Sequence, residues 1–166
     1  MARVYLSLGS NIDAELHLMT ALVELRERFR NLIVSRVYRS KAVGFSGDDF
    51  LNLAVGLDTD LSPIELDQWL HTLEDRHGRR RDVPRFSSRT LDIDIVLYDD
   101  IVLSGPGHLE IPRAELLHAF VLKPLVDIAP ALRHPLSGRS MAELWVDCGD
   151  RDSLVLATLD QVNAST

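Results

Sequence analysis

The chain has 166 residues, of which 46% are apolar and 26% charged, the composition of an ordinary folded domain with its own core. Its formal net charge of −7 argues against general nucleic-acid affinity, which needs a broad basic face. Met1-Ala2-Arg3 leads straight into Val4 to Leu8, no apolar run approaches about 18 residues, Cys148 has no partner for an internal disulfide, and the histidines lack metal-finger spacing. These features lead us to expect a single domain over residues 1–166, cytoplasmic and monomeric, with no membrane and no nucleic-acid partner.

In chain order, Val4 to Leu8 reads as a short strand ending at the turn-forming Gly9-Ser10-Asn11. A helix is predicted next, with Leu16, Met19, Leu22, Val23 and Phe29 on its apolar face and Glu15, Glu24, Arg26 and Arg30 opposite. Ile33 to Tyr38 forms a second predicted strand and Phe50 to Leu57 a third, separated by a polar loop. Ser62-Pro63-Ile64-Glu65 combines an N-cap serine, a first-turn proline and a capping-box glutamate. The helix it opens carries Ile64, Leu66, Trp69, Leu70 and Leu73 inward and stops at Gly78.

Leu91 to Tyr98 is the fourth predicted strand, placing Leu91, Ile93, Ile95 and Leu97 on one face and Asp92, Asp94 and Val96 on the other. Beyond it come a loop at Gly105-Pro106-Gly107, a leucine-rich stretch from Ile111 to Pro130, and a second capping box, Ser140 with Glu143, before Leu144 and Trp145. The last fifteen or so residues carry no firm pattern. The order β-α-β-β-α-β is that of a ferredoxin-like α+β sandwich, here with additional C-terminal elements.

Two aspartates two apart on a strand point the same way, and their charges repel unless a cation lies between them. Magnesium suits such a pair, since it takes one or two carboxylates and fills its shell with phosphate oxygens. A solvated outer strand face would show the same spacing. The basic residues separate the two readings. Six of the eighteen, Arg76, Arg79, Arg80, Arg81, Arg85 and Arg89, fall within fourteen positions just before the carboxylates, which suits a small polyanion such as a nucleotide triphosphate.

Tyr5 to Asn11, Phe50-Leu51-Asn52, Glu74 with Gly78-Arg79, Arg89-Thr90-Leu91-Asp92-Ile93-Asp94, and Phe120 to Leu125 with Ile128-Ala129-Pro130 occur in that order. Together they resemble the 6-hydroxymethyl-7,8-dihydropterin pyrophosphokinase family. The resemblance implies a ferredoxin-like fold and Mg2+-dependent transfer of diphosphate from ATP to the pterin hydroxymethyl group, with release of AMP in folate biosynthesis. It implies that Asp92 and Asp94 bridge two Mg2+ ions and that Arg79 and Arg89 share the catalytic work. By the same resemblance, Phe50 and Phe120 sandwich the pterin, and Asn52 reads its edge with groups near Ser40 and Val43. His71, Glu74, Arg81, Arg85, Phe86, Arg89, Ile95, Arg113 and His118 are implied on the nucleotide side.

The chain departs from the family pattern mainly on that side. Phe86-Ser87-Ser88 stands where Trp-Gly-Pro is usual, Arg113-Ala114 where a histidine precedes an aromatic or proline, and His118 where an arginine is usual. Arg113 and His118 together would still keep a cation near the phosphates. The alternative reading is a divergent paralogue with impaired ATP use that binds pterin or regulates. An RNA-binding module is disfavoured by the acidity and by the lack of an aromatic RNP-type strand.

Overall fold

A computed structural model describes residues 1–42, 47–78 and 90–159. Strand β1 (Ala2–Ser10) leads into helix α1 (Ala14–Arg28), followed by β2 (Arg30–Val34), β3 (Val37–Ser40) and the long β4 (Phe50–Thr59). Helix α2 (Pro63–Arg76) and β5 (Asp92–Tyr98) complete the repeat. All pairings are antiparallel in the order β5-β1-β4-β3, with β2 also on β4, which is the ferredoxin-like order with its second strand in two pieces.

The second strand breaks because Ser35 replaces part of the ladder. Its hydroxyl accepts from Ala54 N–H at 2.8 Å and donates to Arg36 O at 2.7 Å, so the expected single strand Ile33 to Tyr38 becomes β2 and β3. The first helix is turned relative to its predicted face. Leu18, Ala21, Leu22 and Leu25 are buried, while Leu16 and Val23 are 56% and 49% exposed. Apolar residues occur on more than one side of this helix, and contact with the sheet selects the face. Both capping boxes form as expected, Ser62 with Glu65 opening α2 and Ser140 with Glu143 opening α4 (Met141–Val146). Gly78 follows α2 at φ +80°, a conformation in which a Cβ is strained.

One face of the sheet packs Val4, Leu6, Leu8, Leu53, Val55, Ile93 and Ile95 against α1 and α2. The other is covered by elements from the carboxyl-terminal part. These are a 3-10 turn (Ala114–Leu117), helix α3 (Ala119–Ile128) and α4, which bury Ala54, Val96 and Leu97. A shift in the β1–β5 register between Tyr5 and Leu6 makes Leu6 face Ile95 and Tyr5 face Leu97. That irregularity moves Leu97 off its expected face and onto the side of α3. Around Gly105-Pro106-Gly107, β6 (Leu103–Ser104) and β7 (Glu110–Ile111) form a small hairpin. The short β8 (Val155–Ala157) adds to β3 at the sheet edge. Among the described residues, no helix is long and apolar enough to cross a membrane.

Candidate active site

Strand register brings the expected residues together on the face that carries α3. Tyr38 pairs with Asn52, Asn52 with Gly9, and Gly9 with Asp92, so Asn52 and Asp92 stand in one transverse row. Two strand spacings of about 4.8 Å separate the two backbones. Ser7 lies between Ala54 and Asp94 in the next parallel row. Period-two alternation places Phe50 and Ser40, themselves paired across β4 and β3, on the same side.

Asn52 is buried and oriented. Its Nδ2 donates to Tyr38 O at 3.2 Å and to Ser40 Oγ at 2.8 Å, which turns Oδ1 toward Gly9. A Cβ at Gly9 would stand 3.4 Å from Asn52 Oδ1 and 3.8 Å from the Phe50 ring, so glycine leaves the surface between those side chains low. Phe120, in the first turn of α3, stacks on His118 with centroids 5.6 Å apart and planes 14° from parallel.

The acidic side is as crowded as the spacing implies. Asp94 keeps 30% of its side-chain surface open, yet burial on its other sides pushes its carboxyl well above the usual carboxylate range. The charge of Asp92 pushes the same way, Arg113 opposes it, and Glu74 and Glu115 add to the rise. Arg113 follows β7 and is tied to β5 by its backbone N–H on Val96 O at 3.1 Å. Its Nη2 lies 3.4 Å from Asp94 Oδ1, and its Nε lies 3.4 Å from Glu115 Oε2.

Glu74, buried on α2, reaches under the strand. Its Oε2 accepts the N–H of Ile93, the residue between the two aspartates, at 2.9 Å. Ile95 turns its side chain into the core beside α1 and α2, so only its backbone remains for a nucleotide. His71 lies on the outer side of α2, 52% exposed and 3.8 Å from Asp67. His118 is 60% exposed at the start of α3. Val43, Arg79, Arg81, Arg85, Phe86 and Arg89 lie outside the described residues.

Among the described residues, no group of three or more His, Cys, Asp or Glu side chains has the arrangement of a metal site. The Asp92 and Asp94 pair nevertheless offers hard oxygen donors, with Asp94 raised first by burial and then by the charge of Asp92, a donor set that a divalent ion completed by phosphate or water oxygens fits. Sequence reasoning missed Asp150, whose carboxylate reaches the first amide of α3, because nothing in the carboxyl-terminal pattern pointed to it.

In this α+β sheet Asp92 and Asp94 on β5 share a face with Asn52 and Phe50 on β4, two strands away, a layout with the elements of a candidate phosphate-group-transfer site. The model of the 7,8-dihydro-6-hydroxymethylpterin-pyrophosphokinase (HPPK) family matches residues 5–130. The 2-amino-4-hydroxy-6-hydroxymethyldihydropteridine pyrophosphokinase of Pseudomonas aeruginosa is 39% identical over 151 residues, covering 88% of this chain and 91% of the relative. Its namesake from Aquifex aeolicus is 35% identical over 146 residues, 86% of this chain and 90% of its own length. Among solved structures, Plasmodium falciparum HPPK-DHPS matches with a TM-score of 0.70 at 16% identity, over 89% of this chain and 43% of that longer one, a likeness of fold. The chain belongs to the HPPK family and is a pyrophosphokinase.

Proposed function

We infer that the chain carries out the reaction of its family, transfer of pyrophosphate from ATP to 6-hydroxymethyl-7,8-dihydropterin in folate synthesis, with Asp92 and Asp94 as the ligands of Mg2+. The single observation that carries the metal assignment is the convergence of those two carboxylates on one face of β5, with Asp94 raised by burial and by Asp92. In this reaction the pterin hydroxymethyl oxygen gives up its proton to solvent and bonds to the β-phosphorus as the bond from that phosphorus to the α,β-bridging oxygen breaks, and AMP leaves with the bridging oxygen. Bound there, Mg2+ supplies charge neutralisation for the phosphate oxygens and lowers the pKa of a coordinated hydroxyl.

The protein's own groups do the orienting. Asn52 Oδ1, fixed by the two bonds from Nδ2, offers an acceptor to the amino edge of the pterin, and the Phe50 and Phe120 rings offer faces for stacking. Glu74 holds the Ile93 amide and with it the backbone between the carboxylates. Arg113 meets both Asp94 and Glu115 at distances longer than a full hydrogen bond, so its fork has donor capacity for a phosphate. On sequence grounds, Arg79, Arg81, Arg85 and Arg89 complete the cationic lining, with Phe86 beside them and His118 facing the nucleotide. A monomer in the cytoplasm, where ATP and Mg2+ are both plentiful, suits this reading.

The test is AMP formation from ATP and 6-hydroxymethyl-7,8-dihydropterin with and without Mg2+. Turnover that requires the metal and disappears in Asp94→Ala is expected. A folded protein that yields no AMP above background overturns the activity, and full turnover with the metal chelated overturns the metal assignment alone.

A further inference from the structure

Asp150 lies beyond the residues matched by the family model, yet it reaches the helix that presents Phe120. Its carboxylate accepts the Ala119 N–H, with Oδ1 at 3.2 Å and Oδ2 at 3.3 Å. Ala119 is the first residue of α3, and the N-cap, His118, provides no side-chain cap of its own. Asp150 therefore supplies from a distant segment the acceptor that a local Ser or Asp usually supplies, and it places negative charge at the positive end of the helix. It also stands 3.9 Å from His118 Nδ1, on the ring that stacks against Phe120.

The turn holding Asp150 is itself tied down. Ser153 donates to Asp150 O through both N–H, at 3.0 Å, and Oγ, at 2.6 Å. The Cys148 thiol donates to Asp150 Oδ1 at 3.0 Å. Although partial burial opposes it, the hydrogen bonds from Cys148 and Ala119 hold the Asp150 carboxyl below the usual range, leaving it ionised at neutral pH. Phe120 is thus secured from two directions, through the backbone amide just before it and through the imidazole against its ring.

We propose that Asp150 is a positioning residue for the pterin substrate, acting through Ala119 and His118 to fix the Phe120 ring at the site. This rests on the reading of Phe120 as a pterin-stacking side chain. Both contacts, with the Ala119 amide and with the His118 ring, lead to Phe120, so the effect falls on pterin before it falls on ATP.

The experiment compares the full chain with Asp150→Ala, Asp150→Asn and Phe120→Ala, varying each substrate in turn and recording thermal unfolding. Loss of the cap in Asp150→Ala is expected to raise KM for the pterin about fivefold, with kcat and KM for ATP within about twofold of the parent. Asp150→Asn keeps an oxygen able to accept from Ala119 and should recover most of the loss. An unchanged pterin KM in Asp150→Ala overturns the proposal. So does a parallel shift of both KM values, kcat and Tm, which marks a helix cap and nothing more. If Asp150→Ala does not fold, Asp150→Asn decides, since a pterin KM as poor as that of Phe120→Ala overturns the role of the amide contact. Phe120→Ala with the parent's pterin KM overturns the stacking reading beneath the proposal.

Discussion

Arg113 Nη2 stands 3.4 Å from Asp94 Oδ1, placing a permanent cation against a carboxylate that burial and Asp92 both press toward its neutral form. The sequence reading put Arg113 near phosphate, and the structure adds that it also neutralises the protein's own acid. Arg113→Ala should have two separable effects. Without metal, Asp94 and Asp92 lose the charge that opposes their repulsion, and stability should fall by about 1 kcal/mol in urea unfolding with a chelator present. With Mg2+ and ATP, loss of one charge-assisted contact should raise KM for ATP roughly tenfold. Unchanged values in both assays would show that the pair is incidental.

Asp94→Asn separates stability from activity in opposite directions. Because the carboxyl is held above its ordinary range in the folded chain, folding favours its protonated form, and the stability tied to it is present at low pH and lost as pH rises toward neutral. The amide removes that loss, so the variant should be more stable than the parent at neutral pH in metal-free buffer, with a flatter pH profile. Turnover should fall by about 10²–10³-fold, the scale on which one preorganised electrostatic group contributes. Calorimetry across pH and a rate assay check the two halves independently.

Much of this arrangement was legible in the sequence. The β-α-β-β-α-β order, both capping boxes and the shared face of Asp92 and Asp94 follow from local rules of periodicity and hydrogen-bonding chemistry, and each is realised. What escaped depends on contacts distant in the chain. The turned face of α1 is selected by the sheet it covers, and Leu97 changes sides through an irregularity in pairing with β1. Ile95, by contrast, keeps the inward face that strand alternation predicts for it, opposite the acids. Asp150 acts on an amide 31 residues away, a link no local pattern encodes.

His17 and His77 join α1 to the end of α2, with their Nδ1 atoms 2.8 Å apart and His77 Nε2 3.0 Å from Glu24 Oε2. When His77 is neutral the chain of contacts is satisfied with His17 donating to His77 and His77 donating to Glu24; when His77 is protonated, both of its nitrogens donate and His17 accepts. Burial, together with the charge of His77, lowers the His17 pKa against a smaller opposing pull from Asp13. The unfolded chain then binds a proton at His17 more readily than the folded one. Stability is full above the ordinary histidine value of about 6.5 and declines as pH drops through it toward the lowered value. His17→Gln, which can still hydrogen-bond His77, should show a shallower loss of urea midpoint between pH 7.5 and pH 5.5. Superimposable slopes for parent and variant would remove His17 as the source.

Glu74 links α2 to the carboxylate-bearing strand, because its side chain holds the Ile93 amide between Asp92 and Asp94. Removing the side chain in Glu74→Ala leaves the Ile93 N–H in a buried setting without that acceptor, a cost of about 1–3 kcal/mol. The consequence should exceed stability alone. Asp92 and Asp94 project from the residues flanking Ile93, so a shift of this backbone alters their separation directly. Glu74→Gln keeps a carbonyl oxygen in place of the carboxylate and also removes one of the negative charges that raise Asp94. It should therefore retain most of the stability while binding Mg2+ less tightly, since a smaller net negative charge surrounds the pair. Calorimetric titration with Mg2+ and a non-hydrolysable ATP analogue, set beside the unfolding data, resolves the two contributions. If Glu74→Ala loses stability while metal affinity and kcat stay at parental values, the amide bond serves the fold and leaves the geometry of the carboxylates to β5 itself.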